Sequence, residues 1–124
     1  MSAETIETKV VARGKKFTIC EIELNGSSTL KEFTQTLTGD QVAGTIAIVR
    51  YIADNGTPEN TSKFNYEGEQ IWAIKYDQVR IYCFFDAGCL LILTNGVIKK
   101  GQKADPNDLK RAKKLRKAYL RRRS

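Results

Sequence analysis

Residues 71–103 read IWAIKYDQVRIYCFFDAGCLLILTNGVIKKGQK, three apolar runs parted by Tyr76-Asp77-Gln78 and by Asp86-Ala87-Gly88. Connections this short join antiparallel neighbours, so the stretch predicts a β-meander. Alternation along the middle strand places Arg80, Tyr82 and Phe84 on one face and Val79, Ile81, Cys83 and Phe85 on the other. Lys75, Arg80, Lys99, Lys100 and Lys103 fall at strand ends or on alternate positions. A small sheet built this way would present several cations to one side, where a phosphate backbone can be held.

Upstream, residues 1–15 are polar and predict a loose start with one short strand at residues 9–12. A better strand spans residues 17–24, where β-branched and aromatic residues stop at Asn25-Gly26. Ser27 or Ser28 is placed to cap a helix whose apolar face is Leu30, Phe33 and Leu37. Asp40 is placed to cap a second helix to about residue 54, with Val42, Ile46, Val49 and Ala53 as its buried stripe and Asn55-Gly56 as its exit. Residues 57–69 are polar and read as a loop. Downstream, Asp105-Pro106-Asn107-Asp108 opens a last helix with a capping acid and a first-turn proline, and Leu109, Ala112, Leu115 and Tyr119 form its inner stripe. The expected order is β, α, α, β, β, β, α in one α+β domain over residues 1–124. Two N-terminal helices would cover one face of a mainly antiparallel sheet, leaving the other face open for function.

Charge is unevenly placed. The chain of 124 residues carries +7 overall, with a pI near 9.4. Residues 99–124 hold twelve Lys or Arg against two Asp, a balance of +10, leaving nine basic and twelve acidic residues before them, a balance of −3. A near-neutral body with a cationic tail fits a polyanionic partner, either nucleic acid or an acidic protein face. Nothing is long and apolar enough to cross a bilayer, and the opening MSAETIETK has acids where a secretory leader carries positive charge, so a cytoplasmic protein is expected. Cys20, Cys83 and Cys89 lie in apolar segments without CxxC spacing and read as buried thiols. The chain has no histidine, which excludes imidazole chemistry.

The ordered set Ile71-Trp72-Ala73-Ile74-Lys75, Val79-Arg80-Ile81-Tyr82, Leu90 to Leu93, Gly96-Val97-Ile98-Lys99-Lys100 and Asp105-Pro106 with Ala112 resembles the RelE/HigB/ParE toxin superfamily of type II toxin–antitoxin systems, in its phage-derived, HigB-like branch. The resemblance covers about residues 30–118. It implies a RelE-like fold and a toxin that cleaves messenger RNA during translation on the ribosome. It also implies a cognate antitoxin, expected to be a helix-turn-helix protein from a neighbouring gene, and a reaction without metal or other cofactor, in which the ribose 2′-hydroxyl attacks the adjacent phosphate. Ala73 stands where the branch often has Glu, Lys75 where Arg is common, and Thr94-Asn95-Gly96 where a histidine often precedes the glycine. Two other readings stay open on this scaffold: a ParE-like gyrase poison without catalysis, and an inactive phage or mobile-element adaptor.

Such cleavage needs a proton acceptor, a proton donor and positive charge at the phosphorane-like transition state. Arg80 fits the last task, because its planar fork holds two phosphate oxygens and stays charged. The competing reading is a solvated arginine paired with Glu67, Glu69 or Asp77. Lys75, Lys99, Lys100 and Lys103 can grip phosphates, and one of them can act as base if its pKa is lowered by neighbouring cations or burial. Tyr82 and Tyr119 offer a hydroxyl or a stacking ring, against a structural role for each; Trp72 reads as core. Lys110, Arg111, Lys113, Lys114, Arg116 and Lys117 would let the last helix track an RNA backbone without reading bases. Carboxylate pairs, phosphate-binding glycine loops, Ser or Cys triads and metal-ligand clusters are missing from the sequence pattern.

Overall fold

The computed structural model describes residues 4–100 and 105–123. The chain opens with strands: β1 (Ile6–Arg13), β2 (Thr18–Leu24) and a two-residue β3 (Ser27–Ser28) precede α1 (Lys31–Gln35) and α2 (Gly39–Asn55). Then come β4 (Phe64–Gly68), β5 (Ile71–Tyr76), β6 (Val79–Asp86), β7 (Leu90–Ile98) and α3 (Pro106–Arg123). One sheet runs in the order β1-β2-β7-β6-β5-β4, with β3 attached to β2. Among the described residues, only β2 and β7 pair in parallel; the other neighbours are antiparallel.

The meander forms as the short turns require. Asp77 takes a left-handed φ of 52° between β5 and β6, and Gly88 and Cys89 do the same, at 76° and 60°, between β6 and β7. That turn leaves Cys89 exposed, while Cys20 and Cys83 are buried, so two of the three thiols match the expectation of burial.

The N-terminal half departs from the reading above. The short strand expected at residues 9–12 is present but longer: β1 pairs along β2 from Ile6↔Leu24 to Arg13↔Thr18, with a bulge at Val11, where a loose start was expected. Ser27 and Ser28 extend the sheet instead of capping a helix, and α1 is a single turn with no buried residue of its own. Leu30, just before it, is the residue that enters the core. Thr38, not Asp40, caps α2: its hydroxyl accepts from Gln41 N while the Gln41 side chain accepts from Thr38 N, a reciprocal capping box. The stripe of α2 is Ile48, Ile52 and Ala53, and Ile46 is 60% exposed. Gly44 sets that face, since its missing side chain is the space occupied by the Tyr76 ring of β5. Residues 57–69 are not all loop either, because β4 pairs with β5 and stacks Phe64 on Trp72 at 5.1 Å.

The sheet face expected to be open is covered by α3. On one side of the sheet Ile19, Ile74, Ile81, Leu91 and Leu93 pack against Ile48 and Ile52 of α2. On the other, Ile22, Ala73, Tyr82, Phe84 and Ile92 pack against Ala112, Leu115 and Tyr119 of α3. Helices therefore cover both faces, which is why Leu90-Leu91-Ile92-Leu93 is uninterruptedly aliphatic and not alternating. The alternation expected for β6 holds, but Tyr82 and Phe84 lie under α3, at 1% and 0% exposure.

Candidate functional site

Where α3 begins, it leaves the far ends of β5, β6 and β7 uncovered, and the expected cations gather there. Lys75 lies directly opposite Arg80, and Arg80 opposite Val97, all on the α3 side of the sheet. The backbone continues the ladder one step further, with Lys99 N donating to Gln78 O at 2.7 Å. A depression of about 400 Å³ opens here, lined by Tyr82, Val97, Lys99, Lys100, Asp105 and Asp108. Lys103 lies outside the described residues.

Arg80 is half-buried and makes no pair with Glu69 or with the Asp77 carboxylate. One guanidinium nitrogen donates to the carbonyls of Asp77 and Val79, at 2.7 and 2.9 Å. These bonds fold the side chain over its own turn and hold the charge at the rim. Lys75 Nζ donates to Thr61 O at 3.1 Å. Burial, then the Arg80 guanidinium, lower the Lys75 pKa; Glu67 opposes them and Lys99 adds to them. A lysine in that setting sheds its proton more readily than a solvated one.

The acid side of the site is Tyr82, Asp108 and Glu67. Burial first, then Glu67 and Asp108, push the Tyr82 phenol up to about 12, so it stays protonated at neutral pH. Burial and the nearby Asp105 raise the Asp108 carboxyl, with Arg111 opposing. Glu67 lies at the bulge between Tyr66 and Gly68 of β4 and accepts from Asn65 Nδ2 at 3.1 Å. From the sequence, Glu67 stands only as a candidate ion-pair partner of Arg80, and Asp108 as the acid three residues after the cap of the last helix. The only signal for either was a carboxylate beside a predicted cationic strand end.

Behind the depression, β7 carries a bulge at Thr94-Asn95, both buried in an otherwise apolar strand. Thr94 Oγ1 donates to Tyr82 O at 3.1 Å, and Asn95 Nδ2 donates to Asp108 O at 3.1 Å. This pair positions the amino end of α3 over Tyr82. A polar pair inside an aliphatic run was its sequence signature.

Other expected residues lie elsewhere. Tyr119 sits at the opposite end of β6, its hydroxyl donating to Asp86 at 2.6 Å and its ring edge-on to Phe84 at 5.3 Å. On α3, Lys110, Lys114 and Lys117 are exposed and spaced four and three apart, one stripe facing away from the sheet. Lys113 instead bridges to Glu69 at 2.6 Å. Arg116 is half-buried, its guanidinium 6.0 Å from the Phe84 ring centre and its Nε buried without a hydrogen-bond partner. Arg111 is exposed and lines a separate depression near α1.

The family model for Phage derived protein Gp49-like (DUF891) matches residues 30–117, from the start of α1 through most of α3. The chain belongs to the Gp49-like phage-derived family. This is a toxin-like family of toxin–antitoxin systems. The Gp49-like span contains every described residue of the depression and excludes the β1–β2 hairpin. No curated protein matches the chain. Among the described residues, no helix is long and apolar enough to cross a membrane, and no three His, Cys, Asp or Glu side chains converge as a metal site.

Proposed function

We propose that this Gp49-like chain is the toxin of a type II toxin–antitoxin system and acts as a RelE/HigB-type endoribonuclease on messenger RNA at the ribosome. The observation that carries the reading is the meeting of Lys75, Arg80 and Lys99 with Tyr82, Glu67 and Asp108 at one end of the sheet. Cations alone would bind RNA. Cations beside groups of shifted proton affinity can also move protons around a bound phosphate.

In this mechanism Arg80 and Lys99 carry the negative charge that grows on the phosphate. A 2′-oxygen attacks phosphorus and its proton passes to Glu67, or to Lys75 once that amine has given up its own proton to solvent. The bond from phosphorus to the 5′-oxygen breaks, and that oxygen takes a proton from Tyr82 or Asp108. The products are a 2′,3′-cyclic phosphate and a 5′-hydroxyl. No metal or other cofactor takes part, and a cognate antitoxin holds the toxin silent between uses.

Mapping RNA ends after a short pulse of expression tests this. Cuts in translated messages ending in 2′,3′-cyclic or 3′-phosphate support it, whereas 3′-hydroxyl ends indicate attack by water. Broken DNA with intact RNA would make the chain a gyrase poison, and damage to neither would make it an adaptor.

A further inference from the structure

A second depression, of about 540 Å³, lies beside the second turn of α3, between Arg111 and the segment that runs from β3 into α1. Its lining differs in kind from a protein-docking surface. Ser27, Ser28, Thr29 and Gln35 supply hydroxyl and amide groups, Lys31 and Arg111 supply positive charge, and Leu24 is its one apolar residue among those described. Protein interfaces have apolar and aromatic centres, which this groove lacks. Hydroxyls, an amide and two cations are the groups that hold sugar, base edge and phosphate. Glu32, also in the lining, sets one negative charge against the two cations, so the groove keeps a net positive charge.

The groove is joined to the site described above by two adjacent residues. The Thr29 hydroxyl donates to the Thr94 carbonyl, which fixes the groove's floor on the β7 bulge. The neighbouring Asn95 side chain donates to Asp108 O, fixing the amino end of α3, whose Asp105 and Asp108 line the first depression. The two hollows thus flank the start of one helix and hang on one bulge. Resting on the ribonuclease reading, we infer that this groove is an RNA subsite that holds nucleotides flanking the scissile phosphate, with Lys31 and Arg111 on their phosphates.

The test uses the full chain and a 12-nucleotide 2′-O-methyl RNA, which binds without being cut, with affinity measured from 50 to 200 mM salt. The Lys31→Gln, Arg111→Gln double variant is compared with a charge-matched control, Lys9→Gln with Lys15→Gln. All four residues are exposed, and thermal melts check that the fold is kept. Each phosphate contact on a single strand contributes about 0.7 to the slope of log affinity against log salt. The double variant is expected to lose about 1.4 from that slope, reducing the affinity drop over this range by roughly sevenfold, with the control close to the parent. RNA bound by the parent but weakened equally in both variants overturns the groove alone. No RNA binding by the parent overturns the groove and counts against the ribonuclease reading. A ten-residue polyglutamate peptide bound as tightly as the RNA, with the same loss in the double variant, reassigns the groove to acidic protein and overturns the inference.

Discussion

Lys75 and Arg80 face each other across β5 and β6, two cations in direct cross-strand register on the side of the sheet where α3 begins. Like charges placed so are unfavourable for the sheet, and burial first, then the Arg80 guanidinium, destabilise the Lys75 ammonium. A fold gains nothing from this pairing by itself. An anionic ligand bound between the two would relieve it.

Replacing Arg80 by Ala is therefore expected to separate activity from stability. Loss of a positioned transition-state charge should reduce RNA cleavage roughly 100- to 1,000-fold. The fold should change little, because the lost bonds to Asp77 and Val79 carbonyls are offset by relief of the repulsion. The Lys75 amine should move back up toward its ordinary value, readable by NMR titration. A collapsed thermal melt would show that Arg80 is a structural residue.

Tyr82 predicts a pH dependence with a definite sign. The folded chain holds the phenolic proton up to about 12, against 10.0 for an ordinary tyrosine. Between those values the unfolded chain has fewer protons bound, so stability falls as pH rises through the window. Denaturant midpoints for the parent should decline from pH 10 to 12, and Tyr82→Phe should flatten that part of the curve. The same variant should lower cleavage if the hydroxyl donates to the leaving oxygen, and leave it unchanged if Asp108 does so alone.

Asn95→Ala removes a buried donor to the Asp108 carbonyl and leaves Thr94 Oγ1 without its Asn95 contact. The expected loss is about 1–3 kcal/mol by urea unfolding. Cleavage should fall further than stability explains, because the amino end of α3 positions Asp105 and Asp108 beside Tyr82.

Gly14 marks where the hairpin meets α2. A methyl group there would lie 2.2 Å from the Ala53 carbonyl, which accepts from both Lys16 N and Phe17 N. Gly14→Ala should cost about 1–3 kcal/mol or more, since backbone on both sides must shift. An unchanged melting temperature would mean that this contact does not hold the hairpin.

On α3, the exposed Lys110, Lys114 and Lys117 are the stripe to neutralise, since Lys113 is engaged with Glu69. Changing the three to Gln should weaken ribosome or RNA binding evenly across sequences and reduce the salt slope by about 2. Codon preference should persist, because backbone contacts position a protein without reading bases. Unaltered binding at low and moderate salt would reduce the stripe to a solubilising surface.

The meander, the start of α3 and the face assignment of β6 were determined by sequence alone, because two-residue alternation, short turns and Asp105-Pro106 are local signals that tertiary contacts leave in place. The cationic character of residues 99–124 was equally legible. Other features depended on contacts far apart in the chain. The parallel pairing of β2 with β7 joins residues about seventy positions apart, so the sequence shows a short strand at residues 9–12 but not its full length or its place at the sheet edge. The face of α2 that turns inward was decided by Gly44 meeting Tyr76, and not by the apolar spacing, which fits Ile46 as well as Ile48. The site followed the same division. Lys75, Arg80, Lys99 and Lys100 could be read from strand periodicity, whereas Glu67 and Asp108 joined them only through the β4 edge and the buried Asn95 bond to α3. Proton affinity in the site depends on burial and on charges from β4, β6, α3 and the segments flanking α3 and β7, and only the folded chain brings these together.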